Sequence, residues 1–229
     1  MAKYAAILDL DGTLAYTIDD IHTAVNGMLE RLGYEQRTKE EVLSFINNGA
    51  RQLVRRSLPD DIQESEMIID TALLVYEEEY AKCYAEKTSA YDGIEEALSE
   101  LKKETKIKLA VLSNKQDKFV KDIIKKLFPE GMFELVQGQA KLPPKPDPAA
   151  LIAVSKKLGV KVQNCFMVGD SDVDIQTAKN AMMTSIGVEW GYRNVDVLKE
   201  AGANYIAESP GQLYDILLAK TRKKRRGKE

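Results

Sequence analysis

The chain has 229 residues, 44% of them hydrophobic and 30% charged, with a net charge of -3 at neutral pH, enough for one sizeable core and a smaller second lobe. That balance argues against DNA as a partner, since duplex affinity rests on cation contacts to phosphate, and the lack of any apolar run near eighteen residues argues against a membrane span. A single His22 and only two cysteines, Cys83 and Cys165, leave no material for imidazole metal centres, Ser-His triads or a disulfide framework, so any metal must be held by oxygen. The start, Met1-Ala2-Lys3-Tyr4, lacks the apolar core of a signal peptide, which places the protein in the cytoplasm.

Taken in chain order, residues 4–9 read as a buried strand that ends on Asp9-Leu10-Asp11-Gly12-Thr13. From Ile18 to Lys87 the apolar spacing is helical, as in Ile21, Val25, Met28, Leu29 and Leu32, and no strand is expected there. Asn47-Asn48-Gly49 and Leu58-Pro59-Asp60-Asp61 are turn or cap signals that divide this segment into about four helices. After Tyr91-Asp92-Gly93 the pattern alternates. Helices are expected near 94–104, 117–127, 148–158 and 172–180, and strands at 108–113, 133–137, 165–169, 184–187 and 204–207. Such alternation predicts an α/β fold, a Rossmann-like parallel sheet with helices on both faces, because parallel strands need crossovers and the crossovers cover the sheet. The expected organisation is a core of residues 1–15 and 88–220, an inserted helical cap at 16–87 and a solvated tail at 221–229. Seven of the last ten residues are cations, and the expectation is a disordered terminus; a regulatory module using that tail is the alternative.

Ligands of such sheets sit at the carboxyl ends of the strands. Four polar clusters fall at those ends: Asp9 to Thr13, Ser113-Asn114, Lys145 and Gly169-Asp170-Ser171. Singly, each has a structural explanation. Ser113-Asn114 and Asp170-Ser171 could cap the helices that follow, and Lys145 could be a loop lysine among prolines. All four at one edge point to chemistry.

These residues also carry a resemblance. Asp9-Leu10-Asp11-Gly12-Thr13-Leu14, Ser113-Asn114, Lys145-Pro146-Asp147-Pro148 and Val168-Gly169-Asp170-Ser171-Asp172-Val173-Asp174 resemble, in order and spacing, the four motifs of the haloacid dehalogenase superfamily, and the helical insert resembles the cap of its phosphoglycolate phosphatase and beta-phosphoglucomutase branch. Asn48-Gly49-Ala50-Arg51, Leu112-Ser113-Asn114-Lys115 and Val188-Glu189-Trp190-Gly191-Tyr192-Arg193 are similar to phosphoglycolate phosphatase segments. The resemblance implies a Mg²⁺-dependent phosphomonoester hydrolase acting through an aspartyl-phosphate. Asp9 would be the nucleophile and a metal ligand. Asp11 would be the acid and base, reaching the metal through its main-chain carbonyl. Asp170 would ligate Mg²⁺, with Asp174 beside it. Oxygen ligands suit that ion, and the ion screens a carboxylate from the phosphate it attacks. Ser113 and Lys145 would hold the transferring phosphoryl. Asp172 reads as a first-turn acid favoured by the helix dipole.

Substrate binding is assigned to Gly12, Thr13, Asn48, Gly49, Arg51, Ser113, Asn114 and Lys145. The main-chain N–H groups of Gly12 and Thr13 would face phosphate, and Arg51 would pair with a substrate carboxylate or else stand exposed on its helix. His22, Tyr16 and Trp190 read as packing residues. The expected substrate is 2-phosphoglycolate or a similar small phosphorylated acid, with a phosphosugar mutase, a pyrophosphatase or a nucleotidase as alternatives, and the expected assembly is a monomer or homodimer. Two departures from the phosphatase pattern, Tyr16-Thr17 after the first motif and Ser89-Ala90 where a Pro is common, lie at the joints between cap and core.

Overall fold

The computed structural model describes residues 4–222. Six parallel strands, β1 (Ala5–Leu8), β4 (Lys108–Gln116), β5 (Leu135–Gln139), β6 (Cys165–Gly169), β7 (Thr184–Val188) and β8 (Tyr205–Ala207), form a sheet in the order β5-β4-β1-β6-β7-β8. Helices α5 (Ile94–Glu104), α6 (Asp117–Leu127), α7 (Ala149–Leu158), α8 (Asp172–Asn180), α9 (Val195–Glu200) and α10 (Pro210–Arg222) connect or follow them. This is the Rossmann-like α/β sheet that the alternating pattern predicts. Strands β1 and β6, and β4 from Leu109 to Leu112, are apolar at every position because both faces are covered, and the side-chain period of two sorts them. Ala6, Leu8, Leu109, Val111, Phe166 and Val168 join one core, whereas Ala5, Ile7, Ala110, Leu112, Cys165 and Met167 join the other. Truncating a fully buried residue here, such as Leu8→Ala, would cost roughly 2–5 kcal/mol.

Strand order reverses at β1. Its neighbours β4 and β6 carry the chain outward in opposite directions, so the crevice at the carboxyl end of β1 is the switch point where such sheets bind ligands.

Between β1 and α5 the chain makes β2 (Ala15–Tyr16), the four helices α1 (Ile18–Leu32), α2 (Lys39–Phe45), α3 (Ala50–Ser57) and α4 (Glu66–Cys83), and β3 (Ser89–Ala90). The helices share a separate apolar cluster that includes Val25, Met28, Leu29, Val42, Val54, Leu58, Ile69 and Tyr80, joined from the sheet side by Phe119. The sequence shows no strand at either end of this insert. In the structure β2 and β3 pair antiparallel, Ala15 with Ala90 and Tyr16 with Ser89, so outgoing and returning chain form one ribbon. Asp20, in the first turn of α1, pins that ribbon. Its carboxylate accepts from the N–H of Lys87 (3.0 and 3.1 Å) and from the N–H and hydroxyl of Thr88 (2.9 and 2.7 Å).

The far end needs a correction too. Thr221 and Arg222, assigned from sequence to the tail, are the last residues of α10, where Arg222 pairs with Glu104 on α5. The rest of the proposed basic tail, 223–229, lies outside the described residues. Among the described residues no helix is long and apolar enough to cross a membrane.

Candidate active site

The buried end of β1 delivers Asp9 (6% exposed) into a pocket of charge. Lys145 Nζ stands 2.9 Å from Asp9 Oδ1 and donates to Asp174 Oδ1 at 2.6 Å. One oxygen from each of Asp9, Asp170 and Asp174 falls within 4.8 Å of the others, all three residues being buried. The Lys145–Asp9 contact lies off the hydrogen-bond direction, which leaves Asp9 Oδ1 buried without an aligned donor. Burial pushes the Asp9 carboxyl up to about 7, with Asp174 and Asp11 adding to the rise and Lys145 opposing it. Asp170 is raised well above the usual carboxylate range, chiefly by burial and then by Asp174 and Asp9. Burial alone would lower Lys145, but Asp174 and Asp9 outweigh it and raise its affinity for the proton. Three carboxylates against one ammonium leave this cluster short of positive charge. A hard divalent cation with oxygen ligands fits both the shortfall and the unfilled lone pair on Asp9.

Local structure explains each position. The Gly12 turn has φ of +80°, and a Cβ there would lie 2.2 Å from Asp170 Oδ2, so only glycine lets the β1 and β6 ends close on each other. Asp170 is held from two sides, accepting from the Tyr192 N–H at 2.8 Å and the Thr13 hydroxyl at 3.4 Å. Asp174 is the third residue of α8 and forms a capping box with Ser171: its Oδ2 takes the Ser171 hydroxyl (2.6 Å) and N–H (3.2 Å). With Oδ1 on Lys145, both its oxygens are engaged. Asp172 is exposed in the same first turn. Asn114 locks Lys145 through main chain, its Oδ1 accepting from the Lys145 N–H (2.8 Å) and its Nδ2 donating to the Lys145 carbonyl (2.9 Å). The same Nδ2 lies 3.0 Å from the Asn47 carbonyl, which ties this core residue to the cap.

Above the cluster a narrow cavity of about 60 Å³ separates core from cap. Asp9, Asp11, Ser113, Asn114, Lys115 and Lys145 form its polar side, with Gln116 donating to Glu77 of α4 at the rim; Ile21, Ile46, Leu53, Tyr76, Tyr80 and Phe119 form its more apolar wall, with Asn47 and Gly49 at the cap loop. Of the residues assigned to substrate from sequence, Gly49, Ser113, Asn114 and Lys145 line it. Gly12, Thr13, Asn48 and Arg51 do not. The Gly12 and Thr13 N–H groups are turned to the carbonyls of Ala15 (2.9 Å) and Leu10 (3.3 Å), closing the turn instead of facing a phosphate. Asn48 accepts from Arg56 (2.9 Å). Arg51 is bound to Asp70 and Glu66 on α4, because the α3–α4 packing puts two acids within its reach.

Asp11 is also placed differently from its neighbours. Its carboxylate is outside the three-carboxylate cluster, and Oδ1 accepts from Lys115 Nζ at 2.5 Å and from the Thr17 hydroxyl at 2.6 Å. Sequence reasoning places Lys115 in a family-like segment and Thr17 at a departure from the family pattern, and gives neither a role. Lys115 carries a signal, since it lies two residues after Ser113 on an extended strand and so shares its face. Thr17 carries none, because its other neighbour, the Tyr192 hydroxyl at 3.1 Å, is 175 residues away. That hydroxyl also accepts from the Thr17 and Ile18 N–H groups (2.6 and 3.1 Å) at the start of α1, and Arg193 donates to the carbonyls of Leu43, Ser44 and Ile46 at the end of α2 (3.1, 3.4 and 3.4 Å). Trp190 donates to the Thr13 carbonyl at 3.0 Å. One loop of the core thus touches a candidate metal ligand, the hinge and the cap.

The comparisons agree with this geometry. The model of the haloacid dehalogenase-like hydrolase family matches residues 6–188. The chain is 35% identical over 217 residues to a phosphoglycolate phosphatase of Pseudomonas putida, covering 93% of this chain and 76% of that one. It is 34% identical over 224 residues to a phosphoglycolate phosphatase of Psychrobacter arcticus, covering 95% and 97%. A solved structure from Lactobacillus delbrueckii subsp. bulgaricus, described as a candidate phosphoglycolate phosphatase, superposes with a TM-score of 0.86 at 30% identity, covering 95% of this chain and 99% of that one. With its Asp-bearing strand ends gathered at the switch point beneath a helical insert, the chain belongs to the haloacid dehalogenase-like hydrolase family and stands among its phosphatases.

Proposed function

We propose that the protein is a Mg²⁺-dependent phosphomonoester hydrolase that works through an aspartyl-phosphate on Asp9, with 2-phosphoglycolate or a similarly small phosphorylated acid as substrate. The observation that carries the reading is Asp9 itself, a buried carboxylate with one oxygen lacking an aligned donor, set beside Lys145 and between two further carboxylates. Asp9 and Asp170 would hold the Mg²⁺, and the ion would supply positive charge against the phosphoryl oxygens. Asp174, whose oxygens are taken by Lys145 and Ser171, positions that lysine and, with the ion bound, would lie beside its ligand water.

In the first half-reaction an Asp9 oxygen bonds to phosphorus as the ester P–O bond breaks, and the leaving alkoxide takes a proton from Asp11. In the second, Asp11 takes the proton back from a water that attacks phosphorus, and the Asp9–phosphate bond breaks to release inorganic phosphate. The position of Asp11 two residues from Asp9, beyond the charged cluster, supports one carboxyl serving both steps. Lys145 and Ser113 offset the charge on the phosphoryl oxygens. The small cavity and the phosphoglycolate phosphatase relatives support a small acid as substrate. The test is phosphate release from 2-phosphoglycolate, pyrophosphate, a nucleoside monophosphate and glucose 1-phosphate, each with Mg²⁺ and with EDTA. The expected result is Mg²⁺-dependent release that favours phosphoglycolate. Release that persists in EDTA, or that favours glucose 1-phosphate, would reject the reading.

A further inference from the structure

A small phosphorylated acid brings two anionic groups into the cavity, and Arg51, the cation expected to meet the second, is committed to Asp70 and Glu66. Among the residues lining the cavity only two are cations, Lys145 and Lys115. Lys145 is occupied at the phosphoryl end by Asp9 and Asp174. Lys115 is held differently. Among the described residues its ammonium has a single carboxylate partner, Asp11, at 2.5 Å, and it lies 5.0 Å from the centroid of the Tyr80 ring on cap helix α4. Its side chain is only 8% exposed, so the charge is turned into the cavity instead of solvent. An ammonium has three donors, and the Asp11 and Tyr80 contacts leave it able to take another anion.

We infer that Lys115 is the specificity-determining residue that recognises the substrate's carboxylate, with Asp11 holding its charge in place until substrate arrives. The inference rests on the proposed reading of the substrate as a phosphorylated acid. The two lysines serve different ends of the substrate. Lys145 faces Asp9 and the phosphoryl, whereas Lys115 faces Asp11 and the acid group. The apolar wall of Ile21, Ile46, Leu53 and Phe119 offers no competing donor and lowers the local dielectric, which strengthens a charge pair across the cavity. Tyr80 fixes the height of the ammonium through its ring face. The charged recognition element is therefore on the core, beside the chemistry, while the cap contributes the apolar wall and two neutral donors, Asn47 Nδ2 and the Tyr80 hydroxyl.

The test compares 2-phosphoglycolate with ethyl phosphate, which lacks the carboxylate, in wild type, K115M and K115Q, with K115R as the conservative variant. The wild type is expected to prefer phosphoglycolate, and K115M and K115Q are expected to lose at least about tenfold of the kcat/KM ratio between the two substrates, most of it in KM, which corresponds to about 1.4 kcal/mol. K115R should restore part of the ratio. A preference that survives intact in the folded K115M and K115Q proteins, with both substrates affected alike, would overturn the role of Lys115 alone. A wild type that turns over both esters equally would overturn the acid-substrate reading, and the role of Lys115 with it.

Discussion

Asp9 and Asp20 are both buried aspartates, 6% and 1% exposed, in opposite surroundings. Asp20, at the ribbon between cap and core, faces only donors: two main-chain N–H groups and a hydroxyl fill its lone pairs. Asp9, at the end of β1, faces two carboxylates and one ammonium, and one of its oxygens has no aligned donor. A buried charge with its lone pairs filled contributes to holding the chain together; one left short destabilises the fold and stands ready for a metal or a phosphorus atom. Burial alone does not separate a structural carboxylate from a chemical one. The partners do.

The sharpest way to separate the two is to neutralise each. Asp9→Asn keeps the shape and removes the proposed nucleophile, so turnover should fall by about 10⁴-fold or more, while the metal-free protein should melt higher because one of three clustered negative charges is gone. Steady-state phosphate release and a thermal melt in EDTA check both halves. Asp20→Asn should do the reverse. An amide NH₂ would face the Lys87 and Thr88 N–H groups and leave donors unpaired, at a cost of about 1–3 kcal/mol. That corresponds to a melting temperature lower by about 2–12 °C, with kcat/KM changing far less than in the Asp9 variant.

The metal-free protein should also reveal the strain at Asp9 through pH. Its carboxyl is raised from 3.8 to about 7, so between those values the folded state holds a proton that the unfolded chain has released. Stability is then present below about pH 4 and is lost as pH rises towards 7. Asp170, raised in the same direction, adds to the loss. Melting temperatures in EDTA should therefore fall from pH 5 to pH 8, and Mg²⁺, held by the ionised carboxylates as proposed, should reduce that fall. A metal-free melting temperature that climbs over this range would contradict the electrostatics described. The smallest effect is expected at Arg51, whose partners Glu66 and Asp70 are exposed. Arg51→Ala should barely change stability, because solvent screens an exposed ion pair, and should leave the KM for phosphoglycolate nearly where it was; a large rise in KM would return Arg51 to the substrate site.

Much of the fold is legible in the sequence because the core elements repeat a strong signal. Helices α6 and α8 and strand β6 occupy the residues their apolar periodicity predicts, Asp117–Leu127, Asp172–Asn180 and Cys165–Gly169. The β2–β3 ribbon is not legible, since two residues per strand carry no period and the pairing spans the whole insert. At the site, strand ends are predictable from alternation, and the structure brings Asp9, Ser113, Lys145 and Asp170 to one edge. What a side chain does there depends on long-range neighbours that spacing does not encode. The turn of Gly12 and Thr13 spends its N–H groups on Leu10 and Ala15, and Arg51 meets acids on a helix that begins fifteen residues later, at Glu66. Lys115 is hidden for another reason: lysines are common on surfaces, and only the packing of α4 against the end of β4 turns this one inward.

The central claim is that the Asp9 carboxylate attacks phosphorus. The most direct measurement is a rapid acid quench of the Asp11→Asn variant with Mg²⁺ and phosphoryl-labelled 2-phosphoglycolate, followed by proteolysis and mass spectrometry. Loss of Asp11 removes the acid of the first step as well as the base of the second, so labelled acetyl phosphate, whose leaving group needs no proton, is run beside phosphoglycolate; from it label is predicted to accumulate on the peptide that carries Asp9, and to vanish when Asp9→Asn is added. Label on another peptide, or continued turnover in the Asp9→Asn protein without a labelled intermediate, would contradict the account.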